Sequence, residues 1–488
     1  MSISSALNNA LTGLNAASRG AEVASNNIAN AQTPGYTRRS LDLSAAVVAG
    51  VGRGVTVNGV TLTQNAVTVA NRRLADAEFG FDSTMSTALT RLTDAMGTPG
   101  EETALASRAA AFVSALTSSA NDPASSAGQA ALAGAAKDYA TTINGIAREI
   151  RETRQDADAE IAAQVTVLNT SLETIEDLNT DIKKLTVSGG DPSALIDQRK
   201  TEIDRIADIV PLRIVARQDG AVALFSQGGA ILLDGSAQPL DFTPAGLISP
   251  DMTLAAGSLS GLTLSGRPVT IGDGTGSGRL DGGSLAALFE IRDVVTPEAN
   301  SKLDALAQDL IQRFEDPAVD PTLAAGDPGL FTDNGSAYDA LNQTGLASRI
   351  ALNTAIDPAE GGDVWRLRDG INAAAQGNIA SSTILGNLLD AATDVIAAPA
   401  VTGVAAPQTV ASLAGELTTQ MTAAQFQSDN AQAYSSALRT SLRETESGES
   451  GVDTDRELQS LLLIEQAYSA NARVISVVDS LIRRLLEI

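Results

Sequence analysis

Residues 461–485 read LLLIEQAYSANARVISVVDSLIRRL. Leu461, Tyr468, Ile475 and Ile482 recur every seven residues, and Ile464, Asn471, Val478 and Leu485 repeat in step between them. This is a full heptad seam, the pattern of a helix that lays one narrow apolar stripe against another helix. The spacing predicts a helix from Asp453 to Leu486, ~50 Å long at ~1.5 Å per residue. Asn471 is the polar member, and a single polar seam residue fixes register at some cost in stability.

The other end of the chain carries a second seam. Ile3, Leu7, Ala10, Leu14, Ala17, Ala21, Ala24 and Ile28 follow at alternating spacings of four and three. Most are small, so little area is buried and the helix alone is marginal in water. The two ends are expected to pair as a coiled-coil stem, and to be largely disordered in a free monomer.

Between the ends, the strongest period runs from Leu132 to Leu185, interrupted at Thr153 and Arg154, and predicts one long helix. Arg38 to Leu43 alternates like a strand, and Val55, Val57, Val60 and Leu62 suggest a short extended stretch or a hairpin around Asn58-Gly59. From Pro211 the pattern becomes β: Leu212, Ile214, Val222 and Leu224 alternate around Asp219-Gly220. A helix follows at about 284–314, kinked or split by Pro297, and a long helix returns at 409–445. The expected fold is mainly α with a β-rich insertion, elongated and multi-domain. Residues 1–40 with 450–488 form the terminal coiled coil. Residues 41–210 with 341–449 form a long-helix bundle with a short extended segment. Residues 211–340 form a β-rich outer domain with one helix.

Composition narrows the chemistry. The 488 residues hold 33 Lys+Arg against 58 Asp+Glu, a net charge of −25. Such a chain repels nucleic acid and anionic membranes. It has no Cys and no His, which excludes disulfides, thiolate metal sites and every His-dependent triad. Aromatic residues make up 3%, too few to line a typical ligand pocket. No apolar run reaches the ~18 residues of a membrane span, and residues 1–30 lack the basic and apolar regions of a cleaved signal peptide. Glu444, Glu446, Glu449, Asp453, Asp455 and Glu457 read as a solvated turn and helix N-terminus rather than a metal loop. Gly272, Gly274, Gly276 and Gly278 lack the Lys-Ser/Thr of a phosphate cradle and read as a plain loop. Asp156 and Glu160 share a helix face, not a cleft, and Trp365 reads as core. No catalytic constellation, metal site or cofactor is expected.

Ser25-Asn26-Asn27-Ile28-Ala29-Asn30, followed by Thr33-Pro34-Gly35-Tyr36, resembles the N-terminal signature of bacterial flagellar rod, hook and hook-associated proteins. Gly451-Val452-Asp453, Glu457-Leu458 and the run from Glu465 to Ala472 resemble the matching C-terminal signature. The pair covers about the first and last 40 residues. Asp197-Gln198-Arg199, the run from Gly278 to Leu288 with Arg292-Asp293, Asp363-Val364-Trp365-Arg366-Leu367 and Gly370-Ile371-Asn372 are similar to blocks in the hook-associated members at the hook-filament junction. Rod and hook proteins lack those blocks. One departure falls at Thr63 to Ala66, where many relatives carry an Arg and an Asp.

The resemblance implies a structural, non-enzymatic subunit of the flagellum, needed for filament assembly and motility. It implies a ring of about eleven copies joining hook to filament, an inner tube of terminal helices, and the β-rich part outermost. The implied partners are the hook protein, a second junction protein (hook-associated protein 3) and an export chaperone on the C-terminal helix. The implied location is extracellular, reached through the flagellar type III export apparatus without a cleaved signal. The implied assembly residues are Leu7, Leu14, Ala21, Asn26, Asn27, Ile28, Asn30, Pro34, Gly35 and Tyr36 at one end. At the other they are Leu461, Ile464, Tyr468, Asn471, Ile475, Val478, Ile482 and Leu485. The alternatives are a hook or rod subunit and, from a different class, an enzyme displayed on an axial scaffold.

Overall fold

The computed structural model describes residues 3–33, 35–48, 51–98, 100–271 and 278–486. Pro34 of the expected interface and glycines 272, 274 and 276 lie outside them. The chain opens with α1 (Ile3–Ala29) and a hairpin of β1 (Arg39–Val48) and β2 (Val51–Leu62). Then come α2 (Ala66–Met96), α3 (Leu105–Asn121), α4 (Ser126–Val187) and α5 (Ser193–Ile206). Strands β3 (Leu212–Ala216), β4 (Val222–Ser226), β5 (Ile231–Asp234) and β6 (Ser236–Ala237) form an antiparallel sheet in that order. A smaller sheet holds β7 (Leu240–Asp241), β8 (Thr263–Leu264) and β9 (Arg267–Pro268). Next are α6 (Gly283–Glu290) and α7 (Thr296–Phe314), then β10 (Phe331–Asp333) paired with β11 (Ile350–Leu352). The chain ends with α8 (Arg366–Asp369), α9 (Thr383–Thr393), α10 (Val410–Ser450) and α11 (Thr454–Leu486).

Local chemistry explains the boundaries. Asn65 caps α2 by accepting from the Val67 and Thr68 N–H groups, and Thr409 with Ser412 forms a reciprocal capping box on α10. The β3–β4 turn places Asp219 at φ 56° and Gly220 at φ 80°, the left-handed pair a two-residue hairpin needs. The split expected at Pro297 falls just before it. Proline cannot donate to the preceding turn, so residues Ile291–Val295 widen into a π turn, and the Thr296 hydroxyl donates to Ile291 O at 2.7 Å. Of the two readings of 55–62 the extended stretch holds, and Asn58-Gly59 is not a turn: pairing runs Asp42↔Gly59 then Leu43↔Val57, so Asn58 is a bulge within β2.

Packing also corrects the expected division into domains. One apolar core joins α3, residues 132–150 of α4, α7, β10, β11, α9 and the start of α10. A second joins residues 157–175 of α4, the end of α5, the four-stranded sheet and α6. The helical segment 283–314, expected within the outer β-rich unit, therefore contributes α6 to one core and α7 to the other. Residues 323–331, also expected there, pack with the helical bundle. The sheets of β3–β6 and β7–β9 share the second core with residues 157–175 of α4.

Between the cores, α4 and the π turn are fastened by buried charge. Arg154, expected to break the seam, is buried and donates to the carbonyls of Arg292 (2.8 Å), Ser249 (3.3 Å) and Met252 (2.7 Å). Arg292 is fully buried; its Nη1 bonds Asp158 Oδ1 at 2.8 Å and its Nη2 bonds Asp293 Oδ2 at 2.8 Å. Its guanidinium lies 4.8 Å from the Phe289 ring centroid and 5.5 Å from that of Phe242.

A second network ties α2, α5 and α10 near the stem. Arg72 meets Asp76 (2.7 Å), Asp204 (2.6 Å) and Glu446 (2.7 Å), and Lys200 reaches Glu446 at 2.7 Å. Glu446, expected in a solvated turn, is thus a buried fastening. Burial alone would raise its carboxyl, but Lys200 and Arg72 outweigh burial and hold it below the usual glutamate range.

Arg292→Leu strands the buried Asp158 carboxylate and is expected to cost about 3–5 kcal/mol in urea denaturation. Arg91→Ala, at a more exposed ion cluster with Glu149 and Asp156, is expected to cost under about 1 kcal/mol. For Glu446 the folded-state pKa is depressed, so its stabilisation is present above the unfolded value of 4.5 and is lost as pH falls through the folded one. The stability difference between wild type and Glu446→Gln is therefore expected to be full near neutrality and to shrink below pH 4.5.

Candidate assembly interface

α1 and α11 pair along their lengths. A Cβ at Gly13 would stand 2.8 Å from Asn471 Nδ2, and one at Gly20 would stand 3.2 Å from Ile464 Cδ1. Moving up seven residues on α1 moves down seven on α11, so the pair is antiparallel. Small residues allow this approach: Ala10, Ala17 and Ala24 are buried, while Leu7, Leu14, Ala21 and Ile28 are half-buried. On α11, Val478 is buried and Leu461, Ile464, Asn471 and Ile475 are half-buried. Asn471 sits over Gly13 and donates to Ala467 O at 3.0 Å. The register puts Ile3 opposite about residue 481. Leu485 overruns α1 and is 60% exposed, and Ile482 and Tyr468 are also exposed, so these three do not belong to the internal seam.

The N-terminal motif builds a joint between stem and bundle. Asn27, expected as a contact between subunits, is instead buried within the chain. Its Nδ2 donates to Arg39 O (2.8 Å); its Oδ1 accepts from Arg39 N–H (3.0 Å) and from the Tyr36 hydroxyl (2.8 Å). A buried amide with both ends satisfied is a specific latch. Burial pushes the Tyr36 hydroxyl up, against the pull of Arg39, which keeps it a donor. Asn30 continues the motif by donating through Nδ2 to Asn26 O at 2.9 Å, while the Asn26 side chain is exposed. Gly35 takes φ 79°, and a Cβ there would meet Thr201 Oγ1 at 2.7 Å, so the turn lies against α5.

The C-terminal motif meets the same joint. Glu457, expected in solvent, is buried, and its Oε1 bonds Arg38 Nε at 2.6 Å. The Arg38 N–H donates to Ser450 O at 3.0 Å, and Arg39 Nη2 reaches Asp197 Oδ2 at 3.2 Å. Asp453 Oδ1 accepts from the Asp455 and Arg456 N–H groups at the start of α11. Arg38, Arg39 and Asp197 carry this joint and were missed as site residues. The signal for Asp197 was its place in the Asp197-Gln198-Arg199 block; nothing local marks the two arginines.

A second stripe on α11 is left exposed by the described residues. Leu463 is 66% exposed, Val474 43%, Val477 58% and Leu481 43%. Their spacings of eleven, three and four place them on one helix face, offset from the internal seam. Phe426 and Tyr434 are likewise exposed on α10. Two clefts, of about 530 and 580 Å3, are lined by the buried carboxylates Asp304 and Asp309 respectively. Burial pushes Asp304 up to about 6, yet both its oxygens are engaged by the Gly345 and Ala347 N–H groups and by Asn300. Asp309 is ion-paired with Arg313 at 2.7 Å. Asp304 ties α7 to the 345–347 loop, and Asp309 holds Arg313, which donates to the carbonyls of Ala391, Asp394 and Gln408. No helix among the described residues is long and apolar enough to cross a membrane.

Comparison with known proteins places this geometry. The model described as Flagellar hook-associated protein FlgK helical domain matches residues 89–329. That for Flagella basal body rod protein matches 7–37, and that for Flagellar basal body rod FlgEFG protein C-terminal matches 448–488. Flagellar hook-associated protein 1 of Bacillus subtilis (strain 168) is 24% identical over 499 aligned positions, spanning 94% of this chain and 93% of that one. Its counterpart in Escherichia coli (strain K12) is 27% identical over 288, spanning 53% of this chain and 52% of that one. A solved flagellar hook junction protein FlgK from Burkholderia pseudomallei shares 20% identity with a TM-score of 0.44, over 55% of this chain and 47% of that one. Both terminal signatures and the central helical segment match in chain order, and one relative aligns almost end to end. Along almost its whole length the chain is similar to flagellar hook-associated protein 1, and it carries the terminal segments of the flagellar rod and hook proteins at both ends.

Proposed function

We propose that this chain assembles with further copies of itself into the adaptor ring between hook and filament, and that the ring is required for filament growth and motility. The observation that carries the reading is the uncovered apolar stripe on α11. A helix already paired along one face presents a second, water-exposed apolar face, a costly arrangement for a lone chain and a natural one for a subunit of a tube. The stem pair forms the inner layer, the α4 bundle the next, and the small β-sheets point outward. The joint at Asn27, Arg38 and Glu457 holds the stem at a set angle to the bundle, so that neighbouring stems meet in register. The hook protein lies on one side and hook-associated protein 3 on the other. Before assembly an export chaperone covers the stripe on α11. The chain leaves the cell through the flagellar type III route, and its lack of Cys suits a chain threaded unfolded.

Substitutions on the two faces of α11 are expected to separate. Val477→Asp, on the outer stripe, leaves helicity intact and stability within about 0.5 kcal/mol, but abolishes filaments in the cell. Ile475→Asp, on the internal seam, unpairs the stem while the bundle stays folded, read as lost amide protection in residues 3–29 and 454–486. A normal filament in the Val477→Asp strain removes the stripe from the mechanism.

The decisive experiment is electron microscopy of a strain lacking the protein, with the medium assayed for flagellin. Hooks of normal length without filaments, together with shed flagellin, are expected. Absent or truncated hooks would instead assign the chain to the rod or hook.

A further inference from the structure

A groove of about 360 Å3 runs between α2, α5 and the outer edge of β3. Its floor is apolar, built from Val69, Ile196, Ile203 and Ile214. Its walls carry Arg73, Arg199, Lys200 and Arg213, and no carboxylate. In a chain with 58 acidic and 33 basic residues this inverts the prevailing composition.

Two of these cations are already matched. Arg73 Nε meets Asp204 Oδ1 at 2.6 Å and Lys200 Nζ meets Glu446 Oε1 at 2.7 Å. The other two have no carboxylate within ion-pair distance among the described residues. Arg199 donates to Asn179 Oδ1 (2.8 Å) and Gly220 O (2.7 Å), both neutral acceptors. Burial, with Arg73 beside it, pulls its guanidinium down to about 10. Arg213 is exposed and lies over the Phe225 ring at 5.3 Å.

The groove also runs beside unpaired backbone. β3 is the first strand of its sheet and pairs only with β4. The Gln227 N–H donates to Pro211 O and the Arg217 N–H to Ala221 O. The alternation of an antiparallel ladder then turns the amides of residues 213 and 215 toward β4 and those of 212, 214 and 216 toward the open edge.

We propose that this groove binds an extended acidic segment of another protein, which adds a strand to β3. Every second side chain of such a segment points to one face. Apolar side chains would enter the floor around Val69 and Ile203, and carboxylates would meet the exposed Arg213. Backbone pairing supplies affinity, and the alternating pockets supply selectivity. Charge complementarity selects the occupant: the site presents Arg213, a cation without a counter-charge, to an incoming chain, with the buried and likewise uncompensated Arg199 behind the apolar floor. The source is a different protein because the acidic strands described here, at Asp42, Asp234, Asp241 and Asp333, are already laddered in their own sheets. The proposal does not depend on ring assembly.

The test titrates the full chain against a short fluorescent peptide of alternating Val and Glu, read by anisotropy. Saturable binding is expected, weakening with salt. A Val-Lys peptide is expected not to bind, and N-methylation of alternate amides is expected to abolish binding. Arg213→Glu, an exposed change, is expected to weaken binding about tenfold with unchanged circular dichroism. Four outcomes overturn the proposal. They are no saturation up to millimolar peptide, equal binding of the Val-Lys peptide, indifference to N-methylation, and indifference to Arg213→Glu. In the first case Arg213 serves only to guard an open edge against aggregation. Self-association of the wild-type chain that Arg213→Glu removes would overturn the assignment to a different protein.

Discussion

The rest of the molecule depends on the buried contact between Arg154 on α4 and the π turn carrying Arg292. α4 has 62 residues, ~93 Å at ~1.5 Å per residue, and it supplies one wall of each apolar core. A helix that long has no reason of its own to be enclosed halfway along. It is enclosed because the α6–α7 segment crosses it there and passes from one core to the other. Arg292 at the crossing is fully buried, and its charge is matched by Asp158 and Asp293. Buried ion pairs add little net stability over an apolar contact of the same shape. Their geometry is exacting, however, and here it fixes how α4 and the π turn meet.

The same device recurs at smaller scale near the stem. Arg72 and Glu446 join α2 to α10, and Arg38 and Glu457 join the first hairpin to the start of α11. Apolar seams hold elements side by side but tolerate sliding. The polar fastenings stop the slide. Asn27 does this most compactly, reading the backbone of Arg39 with both ends of its amide.

Much of this was legible in the sequence, for particular reasons. The terminal seams, the long helix, the Asp219-Gly220 turn and the family all follow from periodicity or from short motifs. The hairpin alternative at Asn58-Gly59 fell because an Asn-Gly pair serves a bulge as readily as a turn. The division into domains was misread because periodicity shows that a helix has an apolar face but not which core receives it; α6 and α7 look continuous and serve two. In the acidic cluster of 444–457 the helix N-terminus was legible, but the burial of Glu446 and Glu457 was not, because their counter-charges, Arg72, Lys200 and Arg38, lie hundreds of residues away. Tyr468, Ile482 and Leu485 obey the heptad but not the register, which only the Gly13–Asn471 and Gly20–Ile464 contacts define.

The stem also sets an order of events in time. α1 holds residues 3–29 and α11 holds residues 454–486, and each is the other's main partner. During synthesis α1 is made before the bundle and α11 after it, so α1 waits for its partner. Closing so long a loop is slow, because its entropy must be lost before the contacts form. The bundle, whose helices are closer in sequence, can be complete by then. The stem therefore closes after the bundle, and a chain stopped before α11 lacks the stripe along with the helix that bears it. Whatever recognises that stripe also tests whether synthesis has passed α11.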